Sequence, residues 1–86
     1  MRKITFEDNG LEDLTYWAKT DLKILKKIII LSENAAKTPF EGLGKPEPLK
    51  GDLQGFWSRR ITDEHRLIYA VTNEAIIVIA CRRHYE

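Results

Sequence analysis

With 86 residues, 43% of them hydrophobic, and 14 Lys and Arg set against 13 Asp and Glu for a net charge of +1, the chain is one small globular domain (residues 1–86) with a single modest core and no strong global field. The 31% charged fraction is that of an ordinary soluble globule, one cysteine excludes an internal disulfide, and two histidines without a Cys/His cluster argue against a zinc site. No apolar run approaches membrane-spanning length, and the start Met1 to Asp8 turns acidic before a secretory apolar region can form, so a cytoplasmic protein without membrane contact is expected.

Lys3 to Phe6 is short and β-prone, and Glu7-Asp8-Asn9-Gly10 reads as a turn or helix start. Leu11, Leu14 and Trp17 or Ala18 recur at helical spacing, which predicts a first helix ending near Lys19-Thr20. Thr20 or Asp21 can cap a second helix. In it Leu22, Leu25, Ile28, Ile29, Leu31, Ser32 and Ala35 form one wide apolar stripe opposite Lys23, Lys26, Lys27 and Glu33, the pattern of a core helix. All three prolines fall between Thr38 and Pro48, so that stretch is a structured loop. An extended piece follows around Leu49-Lys50, then strands Phe56 to Ile61, His65 to Val71 and Ala75 to Arg82. Their short turns require an antiparallel meander. The expected architecture is α+β in the order β-α-α-β-β-β-β, an antiparallel sheet packed on two helices.

Five of the six arginines (Arg59, Arg60, Arg66, Arg82, Arg83) lie after position 58, and arginine grips phosphate with two parallel N–H bonds where lysine offers a point charge. His84 follows the most strand-like segment of the chain. A titratable imidazole beside arginines suits proton transfer next to a phosphate, although a terminal His also reads as solvated tail. Strict alternation puts Arg82 and His84 on one face of the last strand, with Ile77, Ile79 and Cys81 on the other. Arg66, alternating against Leu67 and Tyr69, joins the open face. Arg59 and Arg60 point to opposite sides, so at most one joins; Arg59 shares its side with Trp57 and is either a ligand or a Trp-stacked surface residue. Singly, each arginine also fits a solvated strand position. Glu47, between Pro46 and Pro48, is the carboxylate with the stiffest backbone, and Lys50 can neutralise it or touch a phosphate. As a plain loop acid Glu47 would need no explanation. His65, at a turn and pointing opposite to Arg66, reads as structural, Cys81 as a small buried hydrophobe, and Phe56 and Trp57 as core or interface.

The stretches Thr38-Pro39-Phe40-Glu41-Gly42, Gly44 to Lys50, Gly55 to Ile61, His65 to Tyr69 and the terminal His84-Tyr85 resemble, in register over nearly the whole chain, the YoeB/Txe toxins of bacterial toxin-antitoxin pairs. The resemblance implies the microbial ribonuclease fold of the wider RelE group and ribosome-dependent cleavage of mRNA in the A site, without metal or cofactor. Residue by residue it implies Glu47 as general base, Arg66 with Lys50 and Arg59 as stabilisers of the phosphate, His84 as general acid and Tyr85 as the terminal aromatic that orients substrate. It further implies a homodimer and a cognate YefM/Axe-like antitoxin. Arg83 and the extra Glu86 depart from the family's pattern beside His84. Two other readings are a ParE-like gyrase inhibitor, which would need no Glu/Arg/His set, and an RNA-binding module using the arginines and Trp57.

Overall fold

Asp21 alone separates the two helices. Its carboxylate accepts from the backbone N–H groups of Lys23 (3.0 Å) and Ile24 (3.3 Å), capping the second helix, while its own N–H donates to Trp17 and closes the first. The computed structural model describes residues 1–83. Their order is β1 (Lys3–Phe6), α1 (Asp8–Thr20), α2 (Leu22–Lys37), β2 (Glu47–Pro48), a 3-10 turn at Gly51–Leu53, β3 (Trp57–Arg60), β4 (Arg66–Val71) and β5 (Ala75–Ala80). The expected α+β order is present, with the extended piece before β3 lying at Glu47–Pro48 and not at Leu49-Lys50.

The five strands form one sheet in the order β1-β5-β4-β3-β2. β2 to β5 make the expected antiparallel steps, but β1 pairs with β5 in parallel, Lys3 opposite Ala75 and Phe6 opposite Val78, so the sheet is mixed. A helical crossover is what permits this. The chain leaves β1, crosses one face of the sheet as α1 and α2, and re-enters at the far edge. β5, contacted by β1, β4 and both helices, is the centre of the molecule, and its near-continuous apolar sequence reflects that burial. Ile28, Leu31 and Ala35 of α2 and Trp17 of α1 close the core over Leu67, Tyr69, Ile76, Val78 and Cys81. The stripe of α2 is narrower than expected: Leu22 is 59% and Ile29 45% exposed, because the sheet and α1 cover only the side that carries Ile28, Leu31, Ser32, Ala35 and Ala36.

A bulge decides which way the end of β5 faces. Ile68 stands opposite Ala80 but Tyr69 opposite Val78, leaving Ile79 as an extra residue. Before the bulge Ile76 and Val78 face the helices, and after it Cys81 does. This corrects the expectation that Ile77, Ile79 and Cys81 share the core face, since one inserted residue reverses the alternation. The strand then ends at Ala80, two residues earlier than expected. α1 accommodates the irregular backbone from one of its faces: Asn9 donates its side-chain N–H to the Ile79 carbonyl (3.0 Å), Asp13 accepts from the Cys81 N–H (2.9 Å), and the Trp17 indole donates to the Cys81 carbonyl (2.9 Å). Residues spaced by four share a helix face, which is why these three can act in sequence.

Candidate active site

The loop from Thr38 to Leu43 carries the chain from α2 toward β2, and Arg59 of β3 holds it. Arg59 is fully buried. Its Nε donates to the Tyr69 hydroxyl (2.9 Å), Nη1 to Asn34 Oδ1 and the Leu43 carbonyl (3.0 Å), and Nη2 to the carbonyls of Thr38 (2.7 Å) and Glu41 (3.0 Å). A guanidinium has five N–H donors, and all five are engaged within the fold. Tyr69 passes the chain of bonds on to the Pro39 carbonyl (2.7 Å), and burial pushes its phenol upward against the opposing pull of Arg59. Arg59 shares the helix-facing side of the sheet with Trp57, which tilts against Phe40 at 4.9 Å. The expectation that Arg59 binds a phosphate does not fit this placement: it anchors the loop, and no N–H is left to offer.

The other face of the sheet gathers the charged groups. Glu47 of β2 lies opposite Ser58 of β3, Ser58 opposite Ile68 of β4, and one step along, Arg60 lies directly opposite Arg66. Side chains directly across a pair share a face, so Glu47, Ser58, Arg60 and Arg66 do as well. From strand spacing and rise, Glu47 and Arg66 are roughly 12 Å apart at Cα, a span both side chains can close on a group lying over Ser58. Like charges directly across a pair repel, and among the described residues neither Arg60 nor Arg66 is in ion-pair contact with a carboxylate. A cation pair of this kind suits an anionic ligand. Arg66 is aimed by its Nη1, which donates to the turn carbonyls of Thr62 (2.6 Å) and Asp63 (3.1 Å). Glu47 and Lys50 are both exposed, Glu47 on the edge strand between its prolines, where no ladder N–H is needed from Pro48.

Sequence reasoning left Arg60 unassigned, although the symmetric hairpin about Asp63, which sets Arg60 against Arg66, carried the signal. Arg82 turns to α1 instead of joining a phosphate-facing set. Its guanidinium lies 3.6 Å over the Tyr16 ring of α1, a cation–π contact on the helix side. His65 is half-buried, edge-on to Trp17 with ring centroids 4.7 Å apart, in keeping with its structural reading. Cys81 is buried as expected, and its thiol is pushed up to about 12 by burial first and by the Asp13 carboxylate second, so it is no nucleophile. His84 and Tyr85, expected as acid and substrate-orienting aromatic, lie outside the described residues. Among the described residues no cluster of three His, Cys, Asp or Glu side chains could hold a metal ion, and no helix is long and apolar enough to cross a membrane.

A family model described as the YoeB-like toxin of bacterial type II toxin-antitoxin systems matches residues 6–85. Toxin YoeB of Escherichia coli (strain K12) is 54% identical over 83 residues, covering 96% of this chain and 99% of its own. In structure, a YoeB/ParE toxin from Agrobacterium tumefaciens is similar with a TM-score of 0.92 and 49% identity over 96% of this chain and 99% of its own. Two from Staphylococcus aureus, both 42% identical, are similar as well: a YoeB dimer at TM-score 0.90, covering 98% of each chain, and a heterotetrameric YoeB-YefM toxin-antitoxin complex at 0.89, covering 99% of each. Relationship of this extent, over nearly the full length and on the same two-helix, five-strand RelE-like fold, places the chain among the YoeB-like toxins of bacterial type II toxin-antitoxin systems.

Proposed function

We propose that this toxin is a metal-independent endoribonuclease that acts in the cytoplasm, cutting mRNA in the ribosomal A site by attack of the substrate's own 2′-OH. The observation that carries the reading is the Arg60–Arg66 pair, without an ion-paired carboxylate among the described residues, on the same sheet face as Glu47 between its two prolines. In this scheme the Glu47 carboxylate takes the proton from the ribose 2′-OH, and the oxygen attacks the adjacent phosphate. Arg66, with Lys50 and Arg60, stabilises the charge that builds on the phosphoryl oxygens, His84 protonates the departing 5′-oxygen, and Tyr85 orients the substrate. Arg60 takes the place first assigned to Arg59, whose donors are engaged inside. The toxin forms a homodimer and is neutralised by a YefM-like antitoxin, a reading supported by the YoeB dimer and the YoeB-YefM complex of Staphylococcus aureus.

The test is chemical. RNA cut by this route ends in a 2′,3′-cyclic phosphate or the 3′-phosphate derived from it, opposite a 5′-hydroxyl. One 2′-deoxy sugar on the 5′ side of the scissile bond abolishes cleavage, because Glu47 then has nothing to deprotonate, and Glu47→Ala is inactive on the normal message. A 5′-phosphate end, or undiminished cutting of the deoxy substrate, would show water to be the nucleophile. Growth arrest with intact mRNA would favour a non-enzymatic poison.

A further inference from the structure

Beyond the regular β4–β5 ladder, five hydrogen bonds among the described residues hold the backbone from Ile79 to Arg83. Three come from α1, as described: Asn9, Asp13 and Trp17. The other two act on Arg83, where the Arg66 N–H donates to its carbonyl (2.8 Å) and His65 Nδ1 accepts its N–H (2.7 Å). Among the described residues, the His65 bond is the side-chain bond nearest to residue 84. It is made where it is needed, because Arg83 has φ 65°, a left-handed conformation that a non-glycine residue adopts only under restraint.

His65 is itself fixed. Its side chain is 12% exposed and its ring stands at 77° to Trp17. Trp17 in turn donates to the Cys81 carbonyl, so one indole braces both the strand end and the ring that grips Arg83. Accepting an N–H at Nδ1 requires that nitrogen to be unprotonated, which leaves Nε2 as the protonated nitrogen of the neutral ring. Nε2 faces Glu64 Oε1 at 3.8 Å, beyond hydrogen-bond range, so among the described residues the grip on Arg83 is the one short bond of the ring.

We propose that His65 is a positioning residue for catalysis: by holding the Arg83 N–H on Nδ1 it sets the direction in which the chain leaves the sheet toward His84. The catalytic consequence rests on the proton-donor role proposed for His84; the grip on Arg83 does not. Asp13 and Trp17 shape the strand end, and His65 sets its exit.

Two substitutions separate grip from packing. His65→Phe keeps an aromatic edge against Trp17 and removes the acceptor, whereas His65→Asn keeps an acceptor oxygen near the Nδ1 position and loses most of the packing. On translating ribosomes His65→Phe is expected to lose about 10- to 100-fold in kcat with KM within about twofold, the cost of a misplaced proton donor. His65→Asn is expected to stay within about fivefold of wild type while melting at a lower temperature, so that activity and stability rank the variants in opposite orders. Activity that follows Tm instead overturns the proposal. Independently of RNA cleavage, 15N-labelled wild-type protein should show scalar coupling across the hydrogen bond between the Arg83 nitrogen and His65 Nδ1. The Arg83 amide should exchange at least about tenfold faster in His65→Phe than in wild type, as expected for a lost local hydrogen bond. Absent coupling, or unchanged exchange, overturns the grip whatever the enzyme does. A wild-type protein that shows the coupling yet cuts no RNA overturns the proposed function alone.

Discussion

Arg59 is a buried cation with no ion-paired carboxylate among the described residues, balanced by four carbonyl or amide oxygens and a phenol. Such a charge is tolerable because every donor is satisfied, and for the same reason its removal strands several acceptors at once. Arg59→Lys keeps the charge but offers at most three N–H groups from a different geometry. We expect it to destabilise the protein by roughly 3 kcal/mol or more in urea unfolding, with proteolysis of the Thr38 to Leu43 loop rising in step. A loss below about 1 kcal/mol, the worth of one ordinary hydrogen bond, would mean that the loop holds itself. The contrast with Arg60, exposed one residue along the same strand, shows how one step along the pleat separates an internal brace from a candidate ligand.

At the scale of elements, the junction of α1 with β5 governs the C-terminal end of the sheet. α1 can lie close to β5 because Gly10 faces the backbone of Val78, where a Cβ would collide with the Val78 carbonyl oxygen. Helix propensity alone favours Gly10→Ala by up to about 1 kcal/mol. Packing opposes it and wins, because backbone cannot yield as a flexible side chain can. We expect Gly10→Ala to destabilise by about 1–3 kcal/mol, as overpacked sites do, and a stabilised variant in thermal melting would show that the helix shifts freely. The same close approach brings Asn9, Asp13 and Trp17 within reach of the bulge, so its loss should disturb the Cys81 and Arg83 amides in particular.

For the molecule as a whole, two buried acidic groups link stability to pH. Burial raises the Cys81 thiol from its ordinary 9.0 to about 12, and Tyr69 shifts in the same direction. Below pH 9.0 the thiol is protonated in both folded and unfolded chains and the full stability is present. Between 9.0 and about 12 the unfolded chain releases a proton that the folded chain keeps, so stability falls as pH rises through that window. Urea midpoints should therefore decline above pH 9.0, and Cys81→Ala should shallow the decline without abolishing it, since Tyr69 remains. A flat profile would mean that both groups reach solvent in the native state.

Local chemistry was enough to read both helices, a cap at Thr20 or Asp21, the three-strand meander and the placement of Glu47 between two prolines, because each depends on neighbours a few residues away. The outward turn of Arg66 followed from the same short-range alternation. What depended on distant pairing was not legible. Periodicity cannot say that β1 joins β5 in parallel, since nothing within four residues records its partner. Nor can it say that Ile79 is an extra residue in the ladder, and that single residue is why Ile77 and Ile79 do not share the core face with Cys81. The choice between Arg59 and Arg60 was set by which side of β3 the helices cover. The bond from His65 to Arg83 joins residues 18 apart and exists only because the bulge, Trp17 and the β4 register meet at one corner of the sheet. Periodicity fixes which residues alternate, and long-range packing decides which side of that alternation meets solvent and substrate.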